Sequence, residues 1–225
     1  MTEIATEFTV TADAERHIRA ERATVIAHIS SRSLTSKSEA HNAVAEVHNR
    51  MAAQARAFRS SGAATWHHAT APSSYSIKES WKPDKDSEPR DRTVFVTASK
   101  VEVKFQNFEA MSDWLAELAD EPLVQTSQPL WALTEQTRKE AESKVRTLAV
   151  RNARQYANDY AAGEDIEPSA LRLSKVDASV SARGGYPMAG ATRGSAGSSN
   201  TSFAVTPNEV TVSASVTATF VATVV

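Results

Sequence analysis

Four histidines in the first third of the chain are the residues best suited to chemistry. His41 and His48 are seven residues apart and so share one face of a predicted helix, while His67 and His68 fall in the strand predicted after it. Neighbouring strand residues point to opposite faces, so only one of the second pair can join the first. No aspartate or glutamate completes a familiar ligand spacing. The metal-site candidates are His41, His48 and His67, but we favour solvated or core-edge histidines and predict no metal.

The sequence shows no motif of a catalytic or cofactor site. A nucleophilic serine needs a strained turn and a base within reach, and neither a nucleophile elbow nor a phosphate-binding loop occurs. Glu164 and Asp165 are adjacent carboxylates, but they lie in a predicted helix-to-strand loop, where solvation is the simpler explanation. We therefore expect no enzymatic activity, no catalytic residue and no cofactor.

The composition argues against several classes of protein. The 225 residues include no cysteine, which removes disulfides, thiolate metal sites and cysteine nucleophiles. A net charge of -2, with acids and bases interspersed, argues against a nucleic-acid partner, which needs clustered Lys and Arg. Residues 1–14 lack a basic segment and an apolar run, and no stretch reaches the ~20 apolar residues of a spanning helix. We therefore expect a cytoplasmic protein that does not insert into a membrane.

Strands flank a helix in the first half of the chain. Residues 8–12 and 23–29 alternate apolar and polar side chains, which predicts two strands paired as a hairpin. Ser36 and Glu39 form a capping box at the start of a helix, and Gly62 follows it where a left-handed C-terminal cap belongs. The strand over residues 93–105 changes phase, which predicts a bulge or bend near Ser99.

The second half alternates in the same way. Asn107 caps a short helix, and residues 123–133 follow as a strand in which Pro129 indicates an edge or a bulge. Thr134 caps a third helix over residues 135–161, with Gly163 as its C-terminal cap. The inward positions predicted for that helix are Ala141, Val145, Leu148, Tyr156 and Tyr160. Strands over residues 170–182 and 203–225 complete the chain.

These elements predict one α+β fold in the order ββαββαβαββ. We expect a mixed, largely antiparallel sheet with three amphipathic helices packed on one face, and the other face meeting water or a partner. We predict one domain over residues 1–225. Residues 183–200 are rich in glycine and serine, and we expect them to form a flexible hairpin loop.

The order and several residue patterns resemble the SIMPL-domain family. The resemblance rests on the hairpin of residues 8–30, the helix of residues 38–58 closing at Gly62, and the strand that carries Val101, Val103 and Phe105 before Asn107 and Phe108. It continues in a long alanine-rich helix and a terminal strand over residues 209–220. The helix pattern consists of Leu133, Thr134, Glu135, Ala141, Ala149, Ala153 and Ala157.

The resemblance implies a bacterial α+β domain without known enzymatic activity that can assemble into closed rings through sheet edges and hairpins. It therefore suggests a non-catalytic scaffold or interaction protein that forms a homo-oligomer, and that can also bind a protein partner. The alternative is a small-molecule or metal-binding module with a groove between the first helix and its sheet, near His41, His48 and Trp66.

Overall fold

Eight strands and three α-helices make up the described part of the chain. The computed structural model describes residues 4–82, 88–184 and 205–224. The elements are β1 (Ile4–Arg19), β2 (Arg22–Ser33), α1 (Lys37–Ser60), β3 (Ala64–Trp81), β4 (Arg90–Phe105), α2 (Phe108–Ala119), β5 (Val124–Thr126), β6 (Leu130–Ala132), α3 (Glu135–Gly163), β7 (Leu171–Gly184) and β8 (Glu209–Val224), with one 3-10 turn at Pro168–Ala170. The α+β class, with three helices and antiparallel strand pairing, is confirmed.

The order of elements differs from the prediction at one place. The strand expected over residues 123–133 is two short strands, β5 and β6, so the order is ββαββαββαββ. Pro129 lies between them, and proline has no backbone N–H to donate to a ladder. Pro129 therefore separates two strands instead of standing inside one.

The strands form two sheets instead of the single sheet that the alternation predicts. The chain divides into two compact units. β1 pairs with β8 along its whole length, with Phe8 opposite Phe220, so the predicted hairpin between β1 and β2 is wrong. Alternation indicates which face of a strand is buried, but it does not identify the neighbouring strand.

The first unit contains the described residues of 1–21, 131–189 and 208–225. Its sheet has the order β1-β8-β7, and α3 packs on the face formed by the buried residues of β1 and β8. Val212 and Val216 of β8 are fully buried on this face. Thr134 caps α3 as predicted, because its side chain accepts a hydrogen bond from the backbone N–H of Thr137.

α3 buries a narrower face than the sequence predicts. The buried residues recur every four positions and are small: Ala141, Val145, Ala149, Ala153, Ala157 and Ala161. The prediction that Leu148, Tyr156 and Tyr160 point inward is wrong, since they are 42%, 45% and 60% exposed. Alanine side chains let the helix backbone lie close to the sheet, and the larger side chains stand on its flanks.

The second unit contains the described residues of 22–130 and 190–207, with its strands in the order β3-β4-β2-β5. Ser36 caps α1 by accepting a hydrogen bond from the N–H of Glu39 at 3.1 Å, as predicted. The other half of the capping box is different, because the Ser33 hydroxyl donates to Glu39 and accepts from the N–H of Ser36. Gly62 follows α1 with a φ of 77°, the left-handed conformation predicted for it.

The irregularity predicted for β4 lies in its neighbour β3. Thr70 pairs with Lys100 and Ser73 pairs with Ala98, so Ala71 and Pro72 together oppose Ser99. β4 itself keeps an unbroken register with β2. A bulge suits a proline, because the extra residue makes no ladder hydrogen bond.

α2 and α1 meet β4 through three aromatic rings. Asn107 caps α2 as predicted, since its side-chain oxygen accepts hydrogen bonds from the N–H groups of Glu109 and Ala110. The ring of Phe105 lies 5.2 Å from that of Phe58 and 5.6 Å from that of Trp114, between centroids. Phe105 is fully buried and Trp114 is 1% exposed, so this cluster forms the core at one end of the second unit.

Two predictions about organisation receive no test. The single domain over residues 1–225 stays a prediction. Of the loop predicted over residues 183–200, the backbone of 183 and 184 forms the end of β7. The remaining residues, 185–200, lie outside the described residues.

Candidate functional site

The histidines of α1 contact hydroxyl groups of the sheet. Nδ1 of His41 lies 3.3 Å from Oγ of Ser74, and Nδ1 of His48 lies 3.2 Å from Oγ of Ser99. Ser74 Oγ is also 2.8 Å from Oγ1 of the fully buried Thr97. Burial lowers the pKa of His48. These contacts give the buried hydroxyl groups hydrogen-bond partners, which is sufficient reason for polar side chains at this interface.

The proposed groove residues do not converge. His67 pairs with Val103 in the β3–β4 ladder, four residues along β4 from Ser99, which is about 13 Å at the usual rise of a strand. Trp66 pairs with Lys104 and so lies on the sheet face opposite to Val103 and α1. Among the residues that the structure describes, no group of three His, Cys, Asp or Glu side chains is placed to hold a metal ion.

The adjacent carboxylates Glu164 and Asp165 end α3. Asp165 has a φ of 55°, and the N–H of Ile166 donates to the carbonyl of Ala161 at 2.8 Å, which closes the helix. The left-handed residue is therefore Asp165 and not the predicted Gly163, which belongs to the helix itself. Both carboxylates are exposed, in agreement with a solvated loop.

In the first unit, one face of the sheet points away from α3. This face carries many threonine and serine hydroxyl groups. Cross-strand pairs join Thr9 to Thr219 at 3.2 Å, Thr11 to Thr217 at 3.0 Å, and Ser181 to Ser213 at 3.0 Å. An open cavity of about 620 Å³ is lined by serines of β7 and β8 together with Leu148 and Asn152 of α3, so it is not confined to this face. The face is polar and exposed, as the alternation of the last strand predicts.

β7 is an edge strand and the most exposed long strand of the first unit. The strand order places β8 on one side of β7 and no described strand on the other. Leu171, at its start, is fully buried, and Arg154 of α3 donates to the Leu171 carbonyl at 3.3 Å. Beyond that point, residues 172–179 are exposed on both faces of the strand. Leu173 is 47% exposed and Val176 is 39% exposed, although both pair with buried residues of β8.

Charges of opposite sign alternate with these apolar residues. Lys175 and Asp177 stand on the other face of β7, where they pair with Thr219 and Thr217. Their charged atoms are 2.7 Å apart, and this hydrogen bond with Asp177 raises the pKa of Lys175. The sequence predicts this strand but not its exposure on both faces, because its composition is that of any half-buried strand. Exposure on both faces depends on where α3 lies.

The other long edge strands carry features that discourage pairing. In β1, the Asn152 side chain of α3 donates to the backbone carbonyl of Asp13 at 2.9 Å and so occupies an edge acceptor. β3 is interrupted by its bulge at Ala71 and Pro72. β7 has 14 residues, one bulge after Leu173 and no proline. Natural sheets use bulges, prolines and charged side chains to protect their edges, and β7 has a bulge and the Lys175–Asp177 ion pair but no proline in its described residues.

A protein-family model matches nearly the whole chain. The model of SIMPL, described as a protein of unknown function (DUF541), matches residues 8–220. No curated protein matches the chain. In the part of the chain that the structure describes, no helix is both long enough and apolar enough to cross a membrane.

Proposed function

The chain belongs to the SIMPL family, and from that premise we propose that it is a non-catalytic scaffold or interaction protein that self-assembles through β7. The supporting observation is the β7 edge, with exposed apolar side chains on one face and an ion pair on the other. A free strand edge offers a row of backbone donors and acceptors to another chain. Two copies of β7 would form backbone hydrogen bonds with each other in the same way.

The charges of β7 favour one antiparallel register between two copies. A two-fold axis through Lys175 or through Asp177 places like charges opposite each other, which is unfavourable. An axis through Val176 instead places Lys175 opposite the partner's Asp177, and the same pair occurs again by symmetry. This register also sets Val176 against the partner subunit's Val176. The isologous pairing is the form of assembly that we propose.

The first test is the absolute mass of the protein by light scattering after size exclusion, at two well-separated concentrations. We expect a discrete multimer whose mass does not change with concentration. Val176→Lys and Leu173→Lys should each lower that mass, because a lysine on an edge strand opposes pairing. Tyr160→Lys, at an exposed position of α3, is the matched control and should leave the mass unchanged. A monomer at both concentrations would contradict the proposal.

The register has its own test, because the natural sequence contains no cysteine. A Val176→Cys variant should form an intermolecular disulfide under mild oxidation, since the two positions face each other across the axis. Ala182→Cys is the control. In the same register its two copies are about 40 Å apart and should not react. Cross-linking of the control alone would refute the register while leaving assembly intact.

The absence of catalysis is also part of the proposal. The hydroxyl of Ser99 contacts His48, but Ser99 is only 8% exposed and sits beneath α1, where a substrate carbonyl would have little access. We expect no labelling by a serine-reactive fluorophosphonate probe. Labelling that disappears in a Ser99→Ala variant would argue for a hydrolase instead.

The alternative function, a small-molecule or metal-binding module, has less support. It rests on the shared face of His41, His48 and His67, but the first two already contact Ser74 and Ser99. The test is to measure the melting temperature with zinc or nickel ions added. A rise in the natural protein that is absent in His48→Ala would favour this alternative over simple assembly.

A further inference from the structure

The bulge in β3 gathers the aromatic residues of that strand on one face. Before the bulge, Trp66 pairs with Lys104 and His68 with Glu102. After it, Tyr75 pairs with Val96, Ile77 with Val94 and Trp81 with Arg90. The partners are all even-numbered residues of β4, which runs without interruption, so all five side chains share the face that points away from α1. Without the extra residue, the two halves would lie on opposite faces.

We call Trp66, His68, Tyr75, Ile77 and Trp81 the aromatic row. Trp66 is 45% exposed, Tyr75 54%, Ile77 38% and Trp81 41%. The row extends for about 45 Å at the usual rise of a strand and is one residue wide. Binding energy at protein interfaces concentrates in a compact central cluster, whereas this row is a line. A line of half-exposed rings fits an extended polymer better than a globular partner.

The charges along the row limit the chemistry of that polymer. Arg92 lies 3.0 Å from Glu79 and Arg32 lies 3.2 Å from it, and Arg92 and Arg32 lower the pKa of Glu79 through these hydrogen bonds. Lys100 forms an ion pair with Glu102 at 2.6 Å. Lys104 and Arg90 pair with Trp66 and Trp81. The row therefore has five basic side chains and two acidic ones, an excess of three: the bases are Arg32, Arg90, Arg92, Lys100 and Lys104, and the acids are Glu79 and Glu102. This is an excess of about one positive charge per 15 Å of row.

That spacing suits a polymer with sparse negative charge. A nucleic-acid strand carries a phosphate about every 3.4 Å, several times the charge density of the row. An acidic polysaccharide with a carboxylate on every second sugar is closer in charge spacing. The apolar faces of its sugar rings can stack on tryptophan and tyrosine, and its hydroxyl groups can bond to the ion pairs alongside. A peptide added as a strand is disfavoured, because Pro72 interrupts the edge.

We propose that the aromatic row binds an extended acidic polysaccharide in which uronic acids alternate with neutral sugars. Trp66, Tyr75 and Trp81 supply the stacking surfaces. The nearly parallel rings of Trp66 and His68, 6.1 Å apart with 17° between their planes, form one end of the site. Arg92, held over the Trp81 ring at 5.5 Å, and Arg90 would contact carboxylates at the other end.

The test uses a hyaluronan decasaccharide as the probe and the full-length protein. We expect binding that weakens as salt is added, and a loss of affinity of about tenfold in each of Trp66→Ala, Tyr75→Ala and Trp81→Ala, equivalent to about 1.4 kcal/mol. Tyr156→Ala and Tyr160→Ala remove aromatic side chains of similar exposure from α3 and should bind like the natural protein. Chitohexaose, which is uncharged, and poly(dT) should bind more weakly.

Several results would overturn the proposal. One is tighter binding of poly(dT) than of hyaluronan, which would assign the row to nucleic acid. Another is unchanged hyaluronan binding in the row variants, or no binding by the natural protein. A third is a loss of assembly in the row variants, measured by light scattering, which would make the row a protein interface. Because β7 and the aromatic row are altered separately, failure of this proposal leaves self-assembly untouched, and the reverse also holds.

Discussion

Replacing Ala153 by leucine tests which face of α3 packs on its sheet. Ala153 is fully buried in the middle of the alanine face, so leucine adds three carbon atoms where the helix lies close to β1 and β8. Overpacking of this kind costs about 1–3 kcal/mol. For a chain of this length, ~2 kcal/mol lowers the melting temperature by about 4–8 °C. Urea unfolding and thermal melting, both followed by circular dichroism at helix wavelengths, measure the change.

Tyr156→Ala is the companion variant, because the sequence pattern alone would place Tyr156 inward and the structure places it outward. At 45% exposure, we expect its loss to cost less than about 1 kcal/mol. A buried aromatic residue would cost about 3–5 kcal/mol instead. The reasoning about α3 is refuted if leucine at position 153 is tolerated while alanine at position 156 destabilises the protein strongly.

Four further changes test local features of the second unit, each by chemical unfolding. Phe105→Ala should cost about 3–5 kcal/mol, because this fully buried ring contacts two other aromatic rings. Asn107→Ala should cost about 1 kcal/mol through loss of the α2 cap. Gly62→Ala should cost about 1 kcal/mol, because open space surrounds the site but a φ of 77° strains any side chain. Burial lowers the pKa of His48 from its usual value of 6.5. As pH falls, this histidine therefore binds a proton at a higher pH in the unfolded chain than in the folded protein. Stability should therefore decline below about pH 6.5, and His48→Gln should show a smaller decline than the natural protein.

The sequence identifies those features that depend on local chemistry. The caps at Ser36, Asn107 and Thr134 and the left-handed Gly62 are confirmed, because each depends on a few neighbouring residues. The α+β class follows from the change between periods of two and near four. The bulge or bend predicted in β4 near Ser99 is wrong, because β4 keeps an unbroken register with β2 and the bulge opposite Ser99 belongs to β3.

The features that the sequence does not determine depend on distant contacts. The pairing of β1 with β8 joins residues about two hundred positions apart, and β2 has an equally plausible alternation. The inward face of α3 could not be predicted from hydrophobicity, because its alanines pack more closely than its tyrosines would. The sequence could not show that Trp66 lies on the sheet face opposite to α1 and His41, because the direction of its side chain depends on its register with Lys104.

The exposed face of β7 follows from the width of a helix. One α-helix is about 10 Å across with its side chains, and neighbouring strands are about 4.8 Å apart, so a single helix covers two strands of a three-stranded sheet. α3 lies over β1 and β8, which leaves Leu173 and Val176 in the open, although they face the same way as the buried residues of β8. Pairing two copies of β7 extends the sheet and places the exposed apolar side chains of one copy beside those of the other. The self-assembly through β7 that we propose would reduce the exposure of Leu173 and Val176, which the single helix of the first unit leaves uncovered.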